Sequence, residues 1–258
     1  MRHSWTGPAA RAPLLALHGF TGDGRDIDPL VPLLGRAGQA PDLPGHGDHP
    51  AREPAACAMP VAVADLLPCL ASAPIVLGYS MGGRVALHLA CHHPGRVAAL
   101  VLVGAQPGIA DDAARAARQA ADEALAARIL EEGVPAFTAW WAQQPLIATQ
   151  RRIAEPWRSR MAGRKRSLRP EGLAASLRGM GTGVMDPLWD RLGAITAPTL
   201  LVTGAEDEKY DRIAAQMAAA IPGAERLVLP GAGHCAHLEA PRAFAGGLTR
   251  FLTRQGLD

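Results

Sequence analysis

Residues 78–82, Gly-Tyr-Ser-Met-Gly, constrain the fold of this chain more than any other segment. They fit the pattern G-x-S-x-G between an apolar run that ends at Leu77 and a helical pattern that begins at Gly83. In a chain with 28 glycines the pattern alone is weak, so its position between strand and helix carries the argument. Glycines permit a tight, strained turn that presents a serine hydroxyl above a sheet. We therefore predict a strand, a sharp turn at Ser80 and a helix.

Further apolar runs recur along the chain, bounded by Gly and Pro and separated by helical patterns. This alternation predicts an α/β fold with a mostly parallel sheet flanked by helices. The predicted strands are 14–17, 74–77, 97–103, 199–203 and 226–229.

The strand pattern stops between Gly104 and Pro198. An Ala-, Arg- and Glu-rich helical run covers 111–132, and aromatic, basic and glycine-rich segments follow it. A long helical interruption between two strand-rich halves indicates a cap inserted at the carboxyl edge of the sheet, where open α/β sheets bind ligands. We expect a core of 1–104 and 198–258 and a helical cap of 105–197.

Composition and charge exclude several classes of function. The chain has 258 residues, 48% of them hydrophobic, and a net charge of only +2, which does not favour a nucleic acid or a membrane surface as partner. Its amino terminus has no leader-like pattern, and no run reaches the roughly 18 apolar residues of a membrane span. We expect a cytoplasmic protein without membrane insertion. The oligomeric state stays open.

Cofactor and metal signatures are missing from the sequence. The four cysteines lie far apart without C-x-x-C spacing, which indicates buried thiols and neither disulfides nor a zinc site. No phosphate-binding loop or dinucleotide motif occurs. We expect no metal and no cofactor.

A serine hydroxyl needs a neighbouring imidazole to take its proton, and a carboxylate to orient that imidazole. In chain order the acid should come first and the histidine second. Asp207 follows the predicted strand that ends at Thr203, with Glu206 and Glu208 as rival carboxylates. It would hold the tautomer of the histidine and stabilise the imidazolium.

The predicted histidine is His234, in the glycine-rich segment 231–234 after the next strand. Glycines allow this loop to bring an imidazole close to Ser80. His237 is the rival base, and we interpret it as a structural loop histidine. The predicted triad is therefore Ser80, Asp207 and His234.

The loop after the first strand, residues 18–22, can donate a backbone N–H to an oxyanion hole. We assign this N–H to Phe20, and the second one to Met81, directly after the serine. His18 and His46 lie at strand ends and are interpreted as structural residues.

Several further segments narrow the assignment. They are Ser-Met-Gly-Gly-Arg at 80–84, the helix beginning near Asp111 with Arg115 and Arg118, Trp140 followed by Gln143-Gln144-Pro145, and 172–183. With these segments the chain resembles the 2-succinyl-6-hydroxy-2,4-cyclohexadiene-1-carboxylate synthases of menaquinone biosynthesis, which are members of the α/β-hydrolase superfamily. The similarity covers nearly the whole chain, and its most specific part is in the predicted cap.

The resemblance implies a carbon–oxygen lyase that expels pyruvate from 2-succinyl-5-enolpyruvyl-6-hydroxy-3-cyclohexene-1-carboxylate. Ser80 would act as a base activated by His234. The N–H groups of Phe20 and Met81 would meet the negative charge that develops on conjugated oxygen.

The resemblance also implies side chains that bind this polyanionic small molecule. Arg84 and Arg118 match the substrate-binding arginines of the family, and a guanidinium suits bidentate contact with a carboxylate. A third cation falls at Lys165, and which of the neighbours Arg164, Lys165 and Arg166 makes the contact stays open. Further predicted lining residues are Tyr79, Trp140 and Gln144.

Two alternatives compete with the lyase. A cofactor-free serine hydrolase acting on a carboxyester or thioester would use the same triad, but it would line its pocket with apolar side chains. A non-catalytic receptor could keep the fold for binding alone. Such a receptor has no need for a complete triad, so this alternative is the less favoured one.

Overall fold

The computed structural model describes residues 2–8 and 11–257. Its centre is a seven-stranded sheet with the order β1-β3-β2-β4-β5-β6-β7. β1 runs antiparallel to β3, and every other neighbouring pair is parallel. This sheet, with helices around it, confirms the predicted α/β class. The strands are β1 Arg2–Trp5, β2 Leu14–Leu17, β3 Gly38–Pro41, β4 Ile75–Tyr79, β5 Ala99–Val103, β6 Thr199–Gly204 and β7 Glu225–Leu229.

Both faces of the sheet are covered, which explains why the central strands are apolar throughout. In β5 every residue is buried. Leu100 and Leu102 belong to one apolar cluster, and Val101 and Val103 belong to a second cluster on the opposite face. Successive side chains of a strand point to opposite faces, so a strand between two helical layers has no polar face.

Ten α-helices occur among the described residues, together with short 3₁₀ turns. They are α1 Val31–Leu34, α2 Met59–Leu66, α3 Met81–His92, α4 Asp112–Trp141, α5 Pro145–Ala148, α6 Trp157–Arg166, α7 Pro170–Met180, α8 Glu208–Ala220, α9 Ala236–Glu239 and α10 Pro241–Arg254. None of them is both long and apolar enough to cross a lipid bilayer.

The chain between β5 and β6 forms α4 to α7, which we call the cap helices. α4 begins after Asp111, whose carboxylate accepts a hydrogen bond from the N–H of Ala114 at 2.7 Å. Gly133 breaks the helix with a φ of 77°, and Pro135 lies in the first turn after the break, where its missing N–H costs nothing. Phe137, Leu173 and neighbours from α4 and α7 form a third apolar cluster. The cap helices therefore have a core of their own.

Candidate active site

The turn between β4 and α3 holds Ser80 in a strained conformation. Its φ of 51° and ψ of −108° lie outside the regions that non-glycine residues ordinarily adopt. Neighbouring glycines make the turn possible because, without a Cβ, they let backbone segments lie close together. A Cβ at Gly78 would lie 2.5 Å from the carbonyl oxygen of Gly82, and one at Gly82 would collide with the carbonyl of Leu17. The strain is thus on the serine itself, while the glycines supply space.

Ser80, His234 and Asp207 form a continuous hydrogen-bonded chain. His234 Nε2 lies 2.9 Å from Ser80 Oγ, and His234 Nδ1 lies 2.6 Å from Asp207 Oδ2. With the proton on Nδ1, the imidazole donates to the carboxylate and accepts from the serine hydroxyl. Asp207 and His234 are 7% and 3% exposed, so water competes little for these bonds.

The rival residues have other partners. Glu206 is exposed and accepts a hydrogen bond from Arg152 at 2.7 Å. His237 is buried, with its ring centroid 4.8 Å from that of Tyr79. Burial, together with the nearby His234, lowers the pKa of His237 to about 3. The structure thus brings together the three predicted residues and none of these rivals.

Gly104 directly follows β5 and lies close to the imidazole of His234. It has a φ of +55°, and a Cβ there would lie 2.8 Å from His234 Cε1. We expect Gly104→Ala to push the imidazole away from Ser80 and to lower kcat by up to about 100-fold, the effect of a roughly 1 Å displacement of a catalytic group.

The matched control is Gly95→Ala. Gly95 has a φ of +78° with nothing within 4 Å of a Cβ, so alanine there would add backbone strain of about 1–2 kcal/mol without the collision. Steady-state kinetics and thermal unfolding of both variants would separate strain from displacement. Equal kcat in Gly104→Ala and the wild type would contradict the prediction that this glycine leaves space for the imidazole of His234.

A cavity of about 340 Å³ opens above Ser80, between the carboxyl ends of the strands and the cap helices. Phe20 and Met81 line it beside the serine. Met81 is the first residue of α3, so its N–H has no acceptor within the helix. The positive end of the α3 dipole also lies here, which favours negative charge at this point. Both residues predicted for the oxyanion hole thus lie beside Ser80.

Arg84 lies one turn after the serine and lines the same cavity. It is buried, and its Nη1 donates to the carbonyl of Met180 at 2.7 Å. Burial lowers the pKa of Arg84 to about 10, so the guanidinium stays charged near neutral pH. Burying a cation costs free energy, and an anionic ligand beside Arg84 would offset that cost.

Arg118 reaches the cavity from α4. Its Nε donates to Asp122 Oδ1 at 2.8 Å, one helical turn further on, and Asp122 is only 3% exposed. This ion pair anchors the guanidinium through Nε, so the two terminal nitrogens are available to a ligand. Asp122 therefore orients Arg118.

The residues that line this cavity carry three cationic side chains and no carboxylate. The third cation is Lys209 in the first turn of α8, two residues after Asp207. Sequence reasoning did not single it out. Its signal was its closeness in the chain to Asp207, the predicted acid of the triad.

Trp140 and Gln144 lie outside this cavity, which corrects their predicted placement. Trp141 lines it instead, while the Trp140 ring lies 3.9 Å from the guanidinium carbon of Arg128. Successive residues of an α-helix point about 100° apart, so an error of one position turns the side chain to another face. Gln144 folds back, and its Nε2 donates to the carbonyl of Trp140 at 3.1 Å.

Lys165 also lies outside the cavity. Its Nζ donates to Gln150 Oε1 at 3.0 Å, and it lines two neighbouring cavities. Arg166 is exposed. Arg164 pairs with two carboxylates that follow β2, Asp23 at 2.9 Å and Asp26 at 2.6 Å. None of these three cations therefore reaches Ser80 in this structure.

Tyr79 lines the cavity as predicted, next to the serine. Its hydroxyl accepts a hydrogen bond from Gln150 Nε2 at 3.4 Å. Burial raises the pKa of Tyr79 well above its ordinary value, so the phenol stays protonated. The ring thus forms a neutral wall between the cavity and Lys165.

Comparisons with known proteins agree with this geometry. The sequence profile of the α/β-hydrolase fold matches residues 12–241, and together with the triad it defines the chain as an α/β-hydrolase-fold protein. A putative 2-succinyl-6-hydroxy-2,4-cyclohexadiene-1-carboxylate synthase from Bacillus subtilis (strain 168) is 36% identical to this chain. The alignment covers 96% of this chain and 92% of that protein. The chain belongs to the 2-succinyl-6-hydroxy-2,4-cyclohexadiene-1-carboxylate synthase family.

Two further similarities extend over nearly the whole chain. The synthase of that name from Enterobacter sp. (strain 638) is 33% identical, with 93% of this chain and 91% of that protein covered. The structure of MenH from S. aureus superposes with a TM-score of 0.90 at 28% identity, covering 99% of this chain and 98% of that one. The similarity thus includes the cap helices as well as the sheet.

Proposed function

We propose that this protein eliminates pyruvate from 2-succinyl-5-enolpyruvyl-6-hydroxy-3-cyclohexene-1-carboxylate to give 2-succinyl-6-hydroxy-2,4-cyclohexadiene-1-carboxylate in menaquinone biosynthesis. The observation that carries the proposal is a cavity above the triad whose lining has three cations and no carboxylate. The substrate has three carboxylates, on the ring, the succinyl group and the enolpyruvyl group. Cavity and ligand are therefore complementary in charge.

In this reaction Ser80 acts as the base and His234 as its proton acceptor. As Ser80 Oγ takes the proton from ring C2, next to the succinyl ketone, its own proton passes to His234 Nε2. A C2=C3 double bond forms, the C3=C4 bond moves to C4=C5, and the C5–O bond breaks. The departing enolpyruvate takes up a proton, for which protonated His234 is the donor, and becomes pyruvate.

The oxyanion hole stabilises the charge that this proton transfer creates. Removing the C2 proton places negative charge on the succinyl ketone oxygen, and the backbone N–H groups of Phe20 and Met81 are the donors assigned to it. Such donors are already oriented before reaction, so they lower the barrier without a reorganisation cost. The chemistry requires no acyl-enzyme.

A serine hydrolase is the second candidate, because the 2.9 Å contact between Ser80 and His234 would activate a nucleophile equally well. The two functions are separated by incubating the purified protein with the enolpyruvyl substrate and, separately, with a small aryl ester. We expect rapid pyruvate release and slow ester hydrolysis. Fast ester turnover without pyruvate would refute the lyase.

Arg118→Ala is expected to reduce kcat/KM for pyruvate release by roughly 10- to 100-fold. The reason is that the variant loses a charge-assisted hydrogen bond to a substrate carboxylate, and such a bond contributes about 1.5–3 kcal/mol. Arg128→Ala is the matched control, because Arg128 lies on the same helix with its Nε 2.9 Å from Glu132, also one turn further on, yet faces Trp140 outside the cavity. Equal kcat/KM in the two variants would remove Arg118 from the site.

We also propose that this reaction takes place in the cytoplasm. Cys57, Cys91 and Cys235 are free thiols, as suits a reducing compartment. A highly charged, water-soluble substrate is consistent with the same location.

A further inference from the structure

The first turn of α8 brings Lys209 to the rim of the active-site cavity. Lys209 lines this cavity and is exposed to solvent. Its Nζ lies 5.7 Å from the ring centroid of Tyr210, a buried residue that lines the same cavity. The ammonium group therefore lies at the mouth of the site.

Most carboxylates near Lys209 in the chain are engaged elsewhere. Asp207 binds His234, Glu206 binds Arg152, and Asp211 accepts from Arg226 at 2.6 Å. Lys209 is therefore a cation that lines the cavity, while these three carboxylates have other partners.

The other two cations of the cavity are anchored, and Lys209 is not anchored in the same way. Arg84 is tied to the Met180 carbonyl and Arg118 to Asp122. A planar guanidinium fixed in this way suits a carboxylate that must be held still, whereas an ammonium on a flexible stem follows a group that moves. Two carboxylates remain on the product, and only the third departs with pyruvate.

We propose that Lys209 binds the enolpyruvyl carboxylate of the substrate and releases it with pyruvate at the mouth of the cavity. The proposal rests on the function proposed above. It assigns the third positive contact to α8 of the core, since Lys165 lies beyond Tyr79 on Gln150. Lys209 binds substrate, and Ser80 and His234 remain the groups that move the proton.

The test compares Lys209→Met, Lys209→Arg and Arg212→Met with the wild type, following formation of the conjugated diene by its ultraviolet absorbance. Arg212 is the matched control, because it is an exposed cation on the same helix that donates to the Glu208 carbonyl and does not line the cavity. We expect Lys209→Met to raise KM by roughly tenfold with kcat within about threefold. Lys209→Arg should restore most of the affinity, and Arg212→Met should match the wild type.

Two further readouts distinguish ligand binding from a structural role. Inhibition by added pyruvate should weaken in Lys209→Met, while inhibition by added succinate stays unchanged. The fall of kcat/KM with salt should also be shallower in that variant, because an exposed charge is screened by ions. Unchanged pyruvate inhibition, or a loss confined to succinate, would overturn the proposal. A wild-type protein that forms no diene would instead refute the proposed function.

Discussion

Ser80→Ala is expected to lower kcat/KM for pyruvate release by a factor of roughly 100 to 10,000, the range of general acid–base catalysis. Alanine removes the oxygen that lies 2.9 Å from His234 Nε2, so no hydroxyl remains to take the proton of the substrate and pass its own proton to His234. The cations of the cavity remain, so substrate binding should change little. Stopped-flow or steady-state measurement of diene formation, with substrate binding measured by calorimetry, would show both effects.

Ser167→Ala is the control for Ser80→Ala. Ser167 Oγ donates to the carbonyl of Arg164 on the cap and does not line the cavity. Mass spectrometry of the wild type during turnover adds a second discrimination, because a base forms no covalent adduct whereas a nucleophile does. Activity of Ser80→Ala within a few fold of the wild type would exclude Ser80 from the path of the proton.

Asp207→Asn should reduce kcat by about 10,000-fold, the loss that the same change causes in a serine protease triad. The amide favours the tautomer of His234 that has its proton on Nε2, and an imidazole in that state cannot accept the proton of Ser80. Asparagine caps a helix as well as aspartate does, so α8, which begins directly after Asp207, should remain folded. Kinetics and circular dichroism would test the two statements separately.

Glu206→Gln is the comparison for this variant. Glu206 precedes Asp207 in the chain and accepts from Arg152 at the surface, so its neutralisation should leave kcat unchanged. If both substitutions had equal effects, local charge would explain the loss, and the orientation of His234 would not.

Short-range features were predictable where one local pattern settles the structure. The elbow at Ser80 needs a strand, a turn with close backbone contacts and a helix, and all of these lie within a few residues in the chain. β5 is apolar at every position because it is buried on both faces. β1 and β3 are missing from the predicted strands because their sequences, Arg-His-Ser-Trp and Gly-Gln-Ala-Pro, contain no apolar run.

Some side chains of the cap that line the cavity could not be predicted from the sequence alone. A shift of one residue on α4 exchanges Trp140 for Trp141, because the periodicity of a helix does not reveal which face a neighbouring element will cover. Gln150 and Tyr79 separate Lys165 from the cavity through contacts between residues far apart in the chain.

The sequence by itself determined the α/β class, the elbow and the chain order of Ser80, Asp207 and His234. These follow from local backbone geometry and from the burial of apolar strands, which are written into short segments. The resemblance also implied Arg84 and Arg118, but only the tertiary structure decided that Lys209 joins them at the cavity and that the cations at 164–166 do not. The physical reason is that charge complementarity depends on distances between elements far apart in the chain.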